Sequence, residues 1–302
     1  MQKIRVAIVG FGNVGIEVVP AIEQSPDMEL AGVILRNPAK ISSAKKKVGD
    51  YPVVTDIKEL GRVDVAVLAI ASRAVPQVAP RYLEMGINTV DSYDIHGEPI
   101  IELRESLDVV AKKHGSVAIV SAGWDPGSDS IIRTLVEVIA PKGITYTDFG
   151  PGMSMGHTVV VKGIDGVEDA LSLTIPKGTG LHRRIVYVKV KPGYDFKKIA
   201  DTVKNDPYFV HDETHVIRVD DVQSLVDTGH GVHLVRKGVS GSTNNQRIEF
   251  NMTIANPPAT AQIMVSAARA SIKQNPGCYV MPEIPPLDFI YGDREALIKR
   301  LV

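Results

Sequence analysis

The opening stretch "IRVAIVGFGNVGIEVVPAIEQSP" restricts the fold more than any other: an aliphatic run meets a segment of helical spacing through a turn with glycines at 10, 12 and 15. Such a turn uses Gly10 for the sharp reversal, Gly12 where backbone must approach a ligand, and Gly15 where the helix lies close on the strand. This is the layout of a dinucleotide pyrophosphate turn, with the helix amino terminus offering N–H groups to phosphate. A tight turn with no ligand is the alternative reading, because the glycine pattern is weak on its own.

The context favours the nucleotide. Aliphatic runs "IRVAIVG", "ELAGVIL", "YPVVT", "VDVAVLAIA", "INTVDSY" and "SVAIVSAG" alternate with helix-favouring stretches over the first 120 residues. Continuous apolar strands of this kind predict a parallel sheet buried on both faces, a doubly wound α/β Rossmann-type domain. After about residue 125 the pattern changes to alternating strands such as "RRIVYVKV" and "QRIEFNMTI", which predict a second α+β domain with a mostly antiparallel sheet. Helical spacing recurs in "DSIIRTLVEVIA", "DFKKIADTVKN" and "PATAQIMVSAARASIKQ". The domains expected are therefore 1–125, completed by a carboxy-terminal segment 257–302, and 126–256 between them. The proline-rich "MPEIPPLDF" reads as a tether rather than a core element.

Composition serves mainly to exclude. Lysine and arginine number 34 against 35 acidic residues, so no net field favours nucleic acid or an anionic membrane. The longest apolar run, "VAVLAIA", is too short to span a bilayer. One cysteine, Cys278, cannot form an internal disulfide, which with the absence of a cleavable apolar leader gives a cytoplasmic expectation. His230 and His233 lie three apart on a strand, where side chains diverge, and no acid or cysteine set completes a metal site, so no metal is expected.

In an open α/β sheet, ligands gather beyond the carboxyl ends of the strands. Three such ends matter here: Ala71-Ser72, Ser92-Tyr93-Asp94, and Ala122-Gly123-Trp124-Asp125 before Pro126. Asp94 and Asp125 there suit a cationic substrate or proton transfer to an amine. Asp125 could equally cap the following helix. At the end of the second strand stand Arg36 and Asn37, where an NAD site places an acid. Arg36 can face a 2′-phosphate bidentately, which favours NADP(H), unless it is simply a solvated cation.

The segments "VAIVGFGNVG", "VDSYDIH", "VSAGWDPG", "GPGMSMGH", "HRRIVYV", "GHGVH" and "IANPPATAQI", in this order over nearly the whole chain, resemble the meso-diaminopimelate dehydrogenase family. The direct join of "TIPKGTG" to "LHRR" is similar to the compact subgroup associated with broader D-amino-acid use. The resemblance implies NADP-dependent oxidative deamination of meso-2,6-diaminopimelate at its D-centre, giving L-2-amino-6-oxopimelate and ammonia, a reaction of lysine biosynthesis. By position it implies that Phe11, Gly12, Asn13 and Val14 hold pyrophosphate, that Arg36 and Asn37 hold the 2′-phosphate, and that Ala69, Ile70, Ala71, Ser72 and Ser92 to Asp94 border the cofactor. Asp94, Trp124 and Asp125 would frame the D-centre, with Phe149, Met155 and Gly156 shaping the pocket. Thr174, Arg184, His230 and Asn256 resemble the family's other substrate-binding residues. Where better-known members carry Gln and Asp, this chain has Met155 and Val159, so simple D-amino acids are also expected as substrates. A homodimer is implied as well. The rival readings are another Rossmann oxidoreductase, of the homoserine-dehydrogenase or sugar-oxidoreductase kind, and an NADP-sensing protein without catalysis. The sugar enzymes carry Glu-Lys-Pro where this chain has "VDSYD".

Overall fold

The computed structural model describes residues 2–226 and 229–302. The chain divides into two compact units, Met1–Thr134 with Pro257–Val302, and Leu135–Asn256. Unit 1 opens with β1 (Ile4–Val9), α1 (Asn13–Glu23), β2 (Met28–Ile34), α2 (Ile41–Val48) and the short β3 (Val53–Val54). It continues through β4 (Val65–Leu68), α3 (Val75–Leu83), β5 (Asn88–Asp91), α4 (Glu98–His114), β6 (Val117–Val120) and α5 (Ser128–Ile139). The division between units falls inside α5, nine residues beyond the change of pattern in the sequence.

Unit 2 holds β7 (Lys142–Phe149), β8 (Gly152–Met153), α6 (Met155–Lys162), β9 (Val167–Gly178), β10 (Leu181–Val190), α7 (Phe196–Asn205), β11 (Glu213–Arg218), β12 (Gly229–Ser240) and β13 (Thr243–Ala255). These strands make two sheets rather than one. Sheet order is β11-β10-β9-β8 in the larger and β13-β12-β7 in the smaller, every pairing antiparallel except β10 with β11. In the larger sheet, Val186 and Val188 of β10 point to a core with Val161 of α6, Ile199 and Val203 of α7, and Phe209. The period-two alternation of "RRIVYVKV" is thus the mark of one covered face. In the smaller sheet, buried Arg236 donates through Nε and Nη2 to the Ala140 carbonyl at 3.0 and 2.7 Å, and so closes the end of α5.

The chain then returns to unit 1 through α8 (Asn256–Ser271), β14 (Gly277–Val280) and α9 (Arg294–Leu301). The resulting seven-stranded sheet runs β14-β6-β5-β4-β1-β2-β3, with every neighbour parallel. Its central strands are buried on both faces, Val6 and Ile8 against α1 and α8, Ala7, Ala66 and Leu68 against α3 and α4. Ala-rich α8 can lie flat on the sheet because Ala261, Ala267, Ala268 and Ala270 have no exposed surface.

The segment "MPEIPPLDF" corrects the tether expectation. It forms two 3₁₀ turns, Met281–Glu283 and Pro286–Phe289, whose Met281, Ile284 and Phe289 join the same core as Val6 and Ile8. Its prolines set the turns rather than extend the chain. Arg104 of α4 grips Glu283 with two hydrogen bonds, of 3.1 and 2.6 Å.

Candidate functional site

Strand order reverses between β1 and β4, and the carboxyl ends of the strands at such a switch point are where open α/β sheets bind ligands. The three glycines of the first turn do different things. A side chain on Gly10, which has φ +89°, would meet the Ala69 carbonyl at 2.5 Å, and one on Gly15 would meet the Gly10 carbonyl at 2.5 Å. Around Gly12 nothing lies within 4 Å of where a side chain would begin, and no side chain caps α1, whose first residues are Asn13 and Val14. The turn therefore presents backbone N–H groups to open space, which fits a diphosphate. Arg36, exposed at the end of β2, makes no hydrogen bond or ion pair with any described residue. Asn37 already has work: its Oδ1 accepts from the Ala39 amide at 3.0 Å and caps the turn that leads into α2.

Ala69, Ile70 and Ala71 follow β4, and Ser72 begins the turn before α3. Its hydroxyl donates to Asp94 Oδ1 at 2.5 Å and accepts from the Asp94 amide at 3.2 Å, so the loops after β4 and β5 are tied together. Buried Tyr93, which follows Ser92, is held by a residue outside the expected site. Asp91 is fully buried, and its Oδ1 accepts from the Tyr93 amide at 2.9 Å and the Ser121 amide at 3.2 Å. Burial raises its carboxyl to about 6.

After β6, Ala122, Gly123, Trp124, Asp125 and Pro126 form a closed loop. Gly123 N–H donates to the Pro126 carbonyl at 3.0 Å, and Gly127 backbone packs so closely on Gly123 that a side chain there would overlap it. The Trp124 indole is buried, while 14% of the Asp125 side chain is exposed. Helix α5 begins at Ser128, so Asp125 lies outside the helix and does not cap it. Behind it stand two groups that were not foreseen. Asp129 has no exposed surface, and Arg133 donates from Nε to Asp129 Oδ2 at 2.8 Å while its Nη2 lies 3.6 Å from Asp125 Oδ1. Burial first, then the Asp129 charge, raises Asp125 to about 7, against the pull of Arg133. The spacing 125, 129, 133 was the available signal.

Unit 2 gathers a second set. Thr174 of β9 and Arg184 of β10 are register partners, and the Arg184 Nη1 donates to the Thr174 hydroxyl. Arg184 Nε donates to Asp212 at 2.6 Å, an acid absent from the sequence expectation. Phe149 N–H donates to His182 Nε2 at 2.8 Å with the two rings 5.5 Å apart. Register also brings His230 and Asn256 to the end of the smaller sheet that carries Phe149: Val232 faces Phe149, and Gly229 faces Ala255. Met155 and Gly156 open α6, and His157 behind them shares a 2.7 Å hydrogen bond with the Ser154 hydroxyl and one of 2.9 Å with the Tyr208 carbonyl. Burial, with Arg184 adding to it, lowers His157 and His230 to about 4 each and lowers His182. Gly150, at φ +94°, belongs to the loop that carries the chain from one sheet to the other. A side chain there would strike the Thr174 carbonyl at 2.2 Å.

No group of three or more His, Cys, Asp or Glu able to hold a metal occurs among the described residues, and no described helix is long and apolar enough to cross a membrane. A switch-point glycine turn with acidic loops beside it is the layout of a dinucleotide-binding domain, and the matches below make the class a pyridine-nucleotide-dependent dehydrogenase. Residues 5–94 match the NAD-binding domain of semialdehyde dehydrogenase, and residues 123–183 the carboxy-terminal domain of diaminopimelic acid dehydrogenase. The chain is 59% identical to the meso-diaminopimelate D-dehydrogenase of Bacteroides fragilis over 302 residues, all of both chains. A structure of the Corynebacterium glutamicum enzyme in complex with diaminopimelate matches with a TM-score of 0.88 at 30% identity, covering 100% of each chain. An engineered D-amino acid dehydrogenase bound to NADP+ matches with a TM-score of 0.86 at 29% identity, again over 100% of each chain. The chain belongs to the meso-diaminopimelate dehydrogenase family, amino-acid dehydrogenases that act on a CH–NH2 group.

Proposed function

We propose that this chain oxidises the D-configured centre of meso-2,6-diaminopimelate with NADP+, forming L-2-amino-6-oxopimelate and ammonia, and runs in reverse as a reductive amination. The observation that carries the reading is the acidic edge of the parallel sheet: Asp94 tied to Ser72 at one strand end and largely shielded Asp125 at the next.

The Gly10–Gly15 turn would hold the diphosphate, with Phe11 to Val14 supplying backbone, and Arg36 the 2′-phosphate. Bound there, NADP+ supplies the hydride acceptor. Asp94 and Asp125 bind the substrate ammonium, and one of them takes its proton so that the carbon reacts as a neutral amine. Asp125 suits that task, since a carboxyl that titrates near 7 can both accept and return a proton at neutral pH. Trp124 keeps water from the acid. Water then adds to the oxidised C=N carbon, and the proton held by the carboxyl passes to the departing nitrogen.

In unit 2, Arg184, Thr174, His230 and Asn256 receive the distal carboxylate, and Phe149, Met155 and Gly156 shape the pocket. The depressed histidines are neutral there and serve as hydrogen-bonding groups, which leaves Arg184 as the cation. Met155 and exposed Val159 add no polar demand, so simple D-amino acids with apolar side chains are substrates too. The working form is a cytoplasmic homodimer. Its contact lies in unit 2, where Leu135, Val138, Ile139 and Ile144 are exposed.

Purified protein mixed with NADP+ and meso-diaminopimelate should generate reduced-nicotinamide absorbance and ammonia in equal amounts, with D-alanine and D-leucine giving slower turnover. Turnover with NAD+ but not NADP+ would overturn the cofactor assignment, and none with any D-amino compound would overturn the reaction.

A further inference from the structure

Asp129 has no part in the chemistry above, yet it is the more deeply buried of two neighbouring acids. Its Oδ2 is satisfied by Arg133 at 2.8 Å, while its Oδ1 is buried with no hydrogen-bond donor among the described residues. Helix α5 fixes it there: the Asp129 amide donates to the Trp124 carbonyl at 2.9 Å, so the loop that carries Asp125 folds back onto the first helical turn. One guanidinium, that of Arg133, lies against both carboxyl groups, and the Asp129 charge bears on Asp125. Two carboxylates gripped by one guanidinium and largely withdrawn from water repel each other, and a proton shared between them gives Oδ1 a donor.

We infer that Asp129 is the positioning residue of the reacting carboxyl: Asp125 and Asp129 hold one proton between them, and Arg133 keeps Asp129 as the anionic member. Arg133 lies 2.8 Å from Asp129 but 3.6 Å from Asp125, so its charge favours leaving the negative end of the pair on Asp129. The proton then rests on Asp125, the member with exposed surface and the one that can meet a substrate. Further charged groups facing this cluster stand on the loop after β5. His96 feels both Asp94 and Arg133, while α8 meets the Gly123 loop at uncharged Thr260. The inference rests on the assignment of Asp125 to proton transfer. It adds a partner that sets the pH at which that transfer begins.

The test compares full-length wild type with Asp129→Asn and Arg133→Gln. Loss of the Asp129 charge should move the acidic limb of kcat/KM for oxidative deamination down by roughly 1–2 pH units, and loss of the Arg133 charge should move it up. A merely structural role would lower activity without moving the limb, so an unchanged midpoint in both variants overturns the inference. Should Asp129→Asn fail to fold, Arg133→Gln decides alone by the upward shift or its absence. Aspartate 13Cγ NMR, with the Asp125 signal assigned through Asp125→Asn, reads the same pair without turnover. A signal titrating near neutrality that moves down in Asp129→Asn supports the pair even in a protein that deaminates nothing. A signal titrating in the ordinary carboxylate range in the wild type overturns it.

Discussion

In unit 1 burial raises acids, Asp125 to about 7 and Asp91 to about 6, whereas in unit 2 it lowers imidazoles, His157 and His230 to about 4 each. One physical cause acts in both places, because loss of water penalises whichever form is charged. The consequences are opposite. The acid edge becomes able to carry a proton at neutral pH, while the histidine cluster becomes unable to do so and retains one cation, Arg184, paired with Asp212. An acid of the first kind can exchange a proton with an amine, whereas neutral imidazoles beside a guanidinium can hold an anion without exchanging one.

The largest expected effect tests the first half of this contrast. Asp125→Asn keeps the shape and removes the proton acceptor, so kcat for oxidative deamination should fall by roughly 10²–10⁴ with a smaller change in KM. Asp94→Asn should fall less if Asp94 chiefly binds the ammonium. Equal and modest losses in both would remove the proton-transfer assignment. The second half is tested by Arg184→Met combined with Asp212→Asn, which avoids leaving a lone acid. kcat/KM for meso-diaminopimelate should drop by about 100-fold, while D-alanine, which lacks the distal carboxylate, should be nearly unaffected. A parallel loss with D-alanine would show that Arg184 does not read the distal end.

How much of this could be read in advance depended on the range of each contact. The parallel sheet was legible because its strands are apolar on both faces, and the tight turn after β1 because the close approaches of Gly10 and Gly15 leave their signature in three residues of local sequence. The second unit's division into two sheets was not, since alternation marks a covered face without saying which strands share it. Nor was the inward face of residues 281–289: prolines dominate that stretch, and Met281, Ile284 and Phe289 reveal themselves only against Val6 and Ile8. Asp91 and Asp212 escaped for the same reason. Their partners, Ser121 and Arg184, lie about 30 residues away, at separations of 30 and 28. Asp129 stands four residues after Asp125, but its place behind the loop depends on α5 starting at Ser128 and on the loop folding back onto the first helical turn, which spacing alone does not specify.

A smaller effect concerns selectivity in unit 1. Arg36→Asp places an acid where a ribose hydroxyl would donate, so the ratio of kcat/KM for NADP+ over NAD+ should fall by roughly 10–100-fold with activity on NAD+ retained. An unchanged ratio would make Arg36 a solvated cation and reassign the 2′-phosphate to neighbouring groups such as Lys40.

The smallest effect separates the two units by the sign of their pH dependence. Asp125 binds its proton more tightly folded than unfolded, so its contribution is complete below about pH 4 and is lost as pH rises through about 7. His157 is the reverse: folded it titrates at about 4 and unfolded at roughly 6.5, so its contribution is present above roughly pH 6.5 and is lost as pH falls towards 4. His157→Gln should lower stability at pH 7, because the Ser154 and Tyr208 hydrogen bonds are impaired. It should also shrink the further loss between pH 7 and 4.5 by about 1–2 kcal/mol. Asp125→Asn should leave that acid loss in place and instead reduce the decline between pH 5 and 8. Urea denaturation across this range measures both slopes. If His157→Gln unfolds with the same acid dependence as the parent, the neutral imidazole is not what makes unit 2 acid-sensitive, and the contrast between the units fails on that side.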